Sequence, residues 1–128
     1  MKKITLFKLY VSDQEQALRF YVDQLGFEAA EDKKLGDYRW LLVRAPDNRD
    51  VCLNLEIAKT NEEKALVGRQ AAGQPLFSIS TDDCRREYAE MSRRGVKFDG
   101  EPKTMPYGTG VMMQDLYGNK IYLNQDPD

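Results

Sequence analysis

A chain of 128 residues with 19 Lys and Arg against 21 Asp and Glu carries a formal charge of −2 and contains no histidine. That balance leaves no basic face to neutralise phosphates and argues against a nucleic-acid partner. With 41% hydrophobic and 31% charged residues the composition is that of a globular domain, and no apolar run approaches the ~20 residues of a membrane span.

Residues 4–11 alternate, with Phe7, Leu9 and Val11 on one face and Leu6, Lys8 and Tyr10 on the other, the pattern of a half-buried strand. The two lysines near the start lead into this alternation and not into an apolar signal region, so a cytoplasmic protein is expected. Cys52 and Cys84 are accordingly read as free thiols. Asp13 with Gln16 three positions later forms a helix start signal. Ala17, Phe20, Tyr21 and Leu25 then recur at helical spacing up to Gly26. A short run at 27–31, a Gly36-Asp37 turn, a strand over 38–44, a Pro46-Asp47-Asn48 turn and a strand over 51–57 complete the order β-α-β-β-β.

Residues 59–75 read as a linker with a short helix capped by Thr60 and Glu63. From Leu76 the order returns: a strand over 76–81, a helix over 83–94 with Cys84, Tyr88 and Met91 on one face, Gly95, and three further strands. Leu6 and Leu76 stand 70 positions apart, and the same offset relates Phe7 to Phe77, Asp13 to Asp83, Leu53 to Leu123 and Asn54 to Asn124. The chain is therefore read as an internal duplication within one domain, 1–128, with modules at 1–58 and 76–128.

Val11-Ser12-Asp13, Phe20-Tyr21, Leu25-Gly26-Phe27 and the terminal Asp115, Tyr117-Gly118-Asn119-Lys120-Ile121 and Leu123 resemble the vicinal oxygen chelate superfamily. That superfamily includes glyoxalase I, the bleomycin-resistance proteins and the extradiol dioxygenases. The resemblance implies an α+β fold of two tandem β-α-β-β-β modules, curved as a mixed sheet around a central cleft, and a homodimer. In metal-dependent relatives a histidine precedes the cap aspartate by seven positions and a glutamate lies on each module's last strand. Here those positions hold Leu6, Leu76, Cys52 and Tyr122. The resemblance therefore implies a member without the usual metal, and no cofactor is expected.

Strand parity turns Lys8, Tyr10, Trp40, Cys52, Asn54, Glu56, Tyr122 and Asn124 toward the cleft, together with Leu6, Leu42, Leu76, Ser78, Ser80 and Met112. Apolar and aromatic walls with a few polar handles suit a small organic ligand with a planar part. The expected ligand contacts are Lys8, Tyr10, Trp40, Cys52, Asn54, Tyr122 and Asn124. Each has a structural alternative. Trp40 can be core or dimer filling, Lys8 a solvated lysine, Cys52 a small buried hydrophobe, and the two asparagines partners of strand-end backbone groups. The 106–110 stretch reads as a lid or as a hairpin turn. The favoured function is a small-molecule binder without chemistry. Two other readings stand beside it: a lyase-like or dioxygenase-like metalloenzyme using Glu56, Cys52 and Asp115, and a dimerising module with a closed cleft.

Overall fold

The computed structural model describes residues Met1–Asp128, which separate into two compact units, Met1–Gly68 and Arg69–Asp128. In the first unit, β1 (Leu6–Val11) is followed by α1 (Gln14–Arg19), whose Asp13 cap accepts a hydrogen bond from the Gln16 amide at 3.0 Å. The helix runs on as a π-helical stretch, Phe20–Gln24, closed by Leu25 N–H to Phe20 O at 2.9 Å. Strands β2 (Glu28–Leu35), β3 (Tyr38–Arg44) and β4 (Cys52–Ile57) complete a sheet of order β1-β4-β3-β2. Only β1 and β4 are parallel; the other neighbours are antiparallel. A second short helix, α2 (Asn61–Leu66), carries the Thr60 and Glu63 capping box.

The second unit repeats the plan with β5 (Pro75–Ser80), α3 (Cys84–Arg93) capped by Asp83, β6 (Lys97–Phe98), β7 (Lys103–Met105), β8 (Gly108–Gln114) and β9 (Lys120–Gln125). Its sheet order is β5-β9-β8-β6, with β7 also paired to β8. Four strands follow α3 where three were expected. The edge strand is split between β6 and β7, around Gly100 at φ 120 and Pro102, which has no N–H for the ladder.

Two sequence expectations change in the first unit. The run expected at 27–31 is an eight-residue strand that reaches Leu35 and turns back through Gly36. Its charged central residues conceal it from a hydrophobic pattern, and charge is what an edge strand carries to discourage foreign pairing. Phe7 shares a face with Leu9 and Val11, yet it is 52% exposed while they are fully buried. Parity assigns the face; the reach of the elements packed on it assigns the burial.

The repeat is also less uniform than a 70-residue offset implies. Lys8 and Leu42 both face Asn54 in the first sheet, whereas Ser78 and Met112 both face Tyr122 in the second. The pairs β1/β5 and β3/β8 thus keep an offset of 70, but the last strands, β4 and β9, correspond at 68. The cause is the connection before them: 45–51 in the first unit against 115–119 in the second. By register the counterpart of Tyr122 is Asn54, not Cys52, and the counterpart of Asn124 is Glu56.

In each unit the helix covers one face of its sheet. Gln14 donates from Nε2 to Arg39 O at 3.1 Å and Leu55 O at 2.8 Å, and Glu15 pairs with Arg39 at 3.2 Å. Leu9, Val11, Leu41, Val43 and Leu55 are fully buried in the first unit. Cys84, Met113, Ile121 and Leu123 are fully buried in the second, where Tyr88 of α3 meets Phe98 edge-on with ring centroids 4.7 Å apart.

Candidate functional site

The residues that the sequence selects lie on the sheet faces turned away from α1 and α3. On the first, Glu56 is the centre of a polar cluster: Lys8 Nζ donates to its Oε2 at 3.1 Å and Tyr38 Oη to its Oε1 at 2.5 Å. The bond to Glu56, reinforced by burial, pushes the Tyr38 phenol up to about 12. Lys59 sits 5.6 Å above the Tyr38 ring. Sequence reasoning placed Lys8 and Glu56 on this face but missed Tyr38, although its parity with Trp40 was a usable signal.

Strands β3 and β4 are in register only at Leu42↔Asn54 and Val43↔Leu53. Beyond that pair Gln14 bridges the two backbones, and Trp40 and Glu56 lie where the ladder has ended. Trp40 is half-buried and its indole N–H donates to Glu31 Oε2 at 2.9 Å. That bond, with Lys33, holds the Glu31 carboxyl below its usual range. The indole edge is therefore committed to Glu31, and stacking is the contact its ring can offer a ligand. Asn54 is 1% exposed and donates from Nδ2 to Leu41 O at 3.3 Å, the backbone-satisfying alternative. Tyr10 and Cys52 are half-buried.

On the second unit's corresponding face, Tyr122 pairs across the strands with Met112 and leans diagonally over Gly110. Asn124 is half-buried beside the exposed Ser80. Asp99 accepts from Lys120 Nζ at 2.6 Å and Gln114 Nε2 at 2.7 Å, and the ammonium foremost holds its carboxyl below the usual range. At the strand ends Ser80, Thr81, Asp82, Gln125, Asp126 and Asp128 line an open depression of about 420 Å³. The 106–110 stretch is the hairpin reading: Pro106 and Tyr107 connect Met105 to its partner Gly108.

A model of the glyoxalase/bleomycin resistance protein/dioxygenase superfamily matches residues 3–123. The chain belongs to that superfamily. An uncharacterised protein of Shewanella frigidimarina is 38% identical to it over 113 residues, covering 87% of this chain and 84% of its own. The crystal structure of TnmS3, an antibiotic binding protein from Streptomyces sp. CB03234, is similar at TM-score 0.81 and 35% identity, covering 99% of this chain and 98% of its own. A glyoxalase/bleomycin resistance protein from the same Streptomyces is 36% identical, with TM-score 0.73, covering 96% and 100%.

Within the superfamily, the residues that this member offers do not fit a metal. It has no histidine, and no three Cys, Asp or Glu side chains converge. Glu56 is committed to Lys8 and Tyr38. Asp115 is buried and accepts from the Tyr117 and Asn119 amides, both at 2.9 Å, and from Asn119 Nδ2 at 2.8 Å. It is the clasp of the turn before β9, which explains the terminal Gly-Asn motif in structural terms.

Proposed function

We propose that this superfamily member is a metal-independent small-molecule binding protein that holds a planar, amphipathic and uncharged organic compound on a sheet face carrying an aromatic ring, Trp40 in the first unit or Tyr122 in the second. The observation that carries the reading is the replacement at the expected metal-ligand positions: Leu6 and Leu76 on the first strands, and Tyr122 with Cys52, or by register Asn54, on the last strands. Of these only Cys52 is an ordinary metal ligand, and one is an aromatic ring. The antibiotic-binding description of TnmS3 supports small-molecule binding.

The charge class follows from the pairing. Each cation described on the first unit's face has a partner: Lys8 with Glu56, Lys33 with Glu31 at 3.1 Å, Arg44 with Glu28 at 2.8 Å, and Lys59 with the Tyr38 ring. An anionic ligand would have to displace one of them. Stacking on the Trp40 ring, with polar contacts from Tyr10 and Cys52, is the mode left to the first unit's face, and stacking on the Tyr122 ring, with Asn124, the mode left to the second's. Exposure of Leu6 (40%) and Phe7 (52%) on the edge strand β1 fits self-association as a homodimer, and a cytoplasmic location fits two free thiols.

Elemental analysis of purified protein combined with a thermal-shift screen of uncharged planar aromatics tests the reading. Metal is expected well below stoichiometric amounts, and a ligand at a hundred times its Kd is expected to stabilise the fold by about 2.7 kcal/mol. Stoichiometric nickel, zinc, manganese or iron overturns it.

A further inference from the structure

Gly110 is buried in the middle of β8, paired with Lys103 on one side and Asn124 on the other. Its backbone is not in the left-handed region: the positive-φ glycines are other residues, such as Gly108 at φ 132 on the same strand. Conformation therefore does not require glycine at 110. Space does. A Cβ built at Gly110 collides with the Oη and Cζ atoms of Tyr122 and lies 3.1 Å from its Cε2. Residues directly opposite across two antiparallel strands are close, whereas the diagonal neighbour lies about 7–8 Å away, within reach of an aromatic side chain. Tyr122 directly opposes Met112, and its ring has taken the diagonal. The phenol end of the ring is laid against bare backbone, which is possible because no side chain rises there.

We propose that Gly110 is a positioning residue that lays the Tyr122 ring across β8 and so makes it a platform on which the planar part of an uncharged ligand stacks. The proposal rests on the small-molecule-binding function above and adds the residue that sets the geometry of its aromatic contact. It also accounts for a feature of the duplication. Tyr122 occupies the register position that Asn54 fills in the first unit, and the β3 residue on the matching diagonal there is Trp40, where the second unit has Gly110. The second unit thus carries its large ring on the last strand and leaves the neighbouring strand bare to receive it; the first carries its large ring on that neighbouring strand.

Nile red, an uncharged planar dye whose fluorescence reports transfer to an apolar site, is the probe. Its Kd is measured with the full chain, the Gly110→Ala and Tyr122→Ala variants, and the double variant, alongside proton NMR of Gly110 in the free protein. The ring over Gly110 predicts an upfield ring-current shift of its Hα resonances that disappears in Tyr122→Ala. Each single variant is expected to weaken Nile red roughly two- to ten-fold, the range of one aromatic contact. The double variant is expected to be no weaker than Tyr122→Ala alone, because once the ring is gone the added methyl has nothing to displace.

Additive losses in the double variant, or an unchanged Kd in Gly110→Ala, overturn the proposal. A wild type that binds Nile red without the upfield shift overturns the positioning and leaves the binding function standing. A wild type that shows the shift but binds no Nile red overturns the platform together with that function. If Gly110→Ala does not fold, folding of the double variant shows the collision to be the reason; failure of both variants, with Tyr122→Ala folded, overturns it.

Discussion

Tyr38 and Glu56 share a short hydrogen bond that only tertiary structure brings about, since 18 positions separate them. Because a phenolate beside a carboxylate is disfavoured, the Tyr38 phenol titrates near 12 and not near 10. Phenolate absorbance followed against pH should show one tyrosine ionising late, and Glu56→Gln should move it back toward 10. A tyrosine that keeps its late ionisation in Glu56→Gln would sink the assignment. At Asp115 the prediction concerns stability. Asp115→Ala leaves the buried Asn119 amide and the Tyr117 amide without their acceptor, at about 1–3 kcal/mol for each buried donor left unpaired. Urea denaturation should show that loss without a loss of Nile red affinity beyond what unfolding explains. Such residue-scale geometry was partly legible: alternation put Lys8 and Glu56 on one face, but it could not say that they neutralise each other at 3.1 Å.

Among the elements, α1 and α3 were readable from local chemistry alone. Asp13 and Asp83 accept from the amides of Gln16 and Arg86 at 3.0 and 3.1 Å, a bond that closes within one turn and needs no partner from elsewhere. Asp83→Ala is expected to cost about 1 kcal/mol, measured as a lowered melting temperature, whereas Asp83→Asn should restore most of it. Equal losses in both variants would argue for a charge effect instead of a cap. The strands β2, β6 and β7 were less legible because edge strands take their identity from the neighbour they pair with. β2 carries Glu31, Asp32, Lys33 and Lys34 through its middle and is held by its ladder to β3 and by the Arg39 fork on Asp32 at 2.8 and 2.9 Å. The last strands were recognised, but their register was not. A connection two residues shorter in the second unit moves β9 against β5 and β8, so Leu53/Leu123 and Asn54/Asn124 match in sequence without matching in place.

At the scale of the whole molecule, pH stability follows from the perturbed groups. Glu28, Glu31, Asp32, Glu63 and Asp99 are all held below their ordinary values, first by hydrogen bonds from Arg44, Trp40, Arg39, the Lys59 amide and Lys120 respectively. A depressed folded-state pKa contributes stability above the unfolded value, which is lost as pH falls through the folded one. Unfolding free energy should therefore decline as pH drops below the ordinary carboxyl values of 4.5 and 3.8. Tyr38 has the opposite sign: its raised pKa contributes below 10, and that contribution fades as pH rises through about 12. Denaturation curves across pH should show a plateau between these limits. A maximum displaced into the acid range would contradict the carboxylate pairings.

The sequence by itself determined the α+β order, the helix starts, the duplication, the family and the absence of any histidine. All of these are local or periodic properties, and a chain carries them whether folded or not. Tertiary structure alone decided which residues meet. Glu56 is tied to Lys8 and Tyr38, Asp115 to its own turn, and Asn54 to the backbone of a neighbouring strand. Asn54, not Cys52, is the register counterpart of Tyr122 in the first sheet, and the Tyr122 ring lies where a Cβ at Gly110 would collide with it. Such facts depend on loop length and cross-strand register, which set distances between residues far apart in sequence, and no pattern within either segment encodes them.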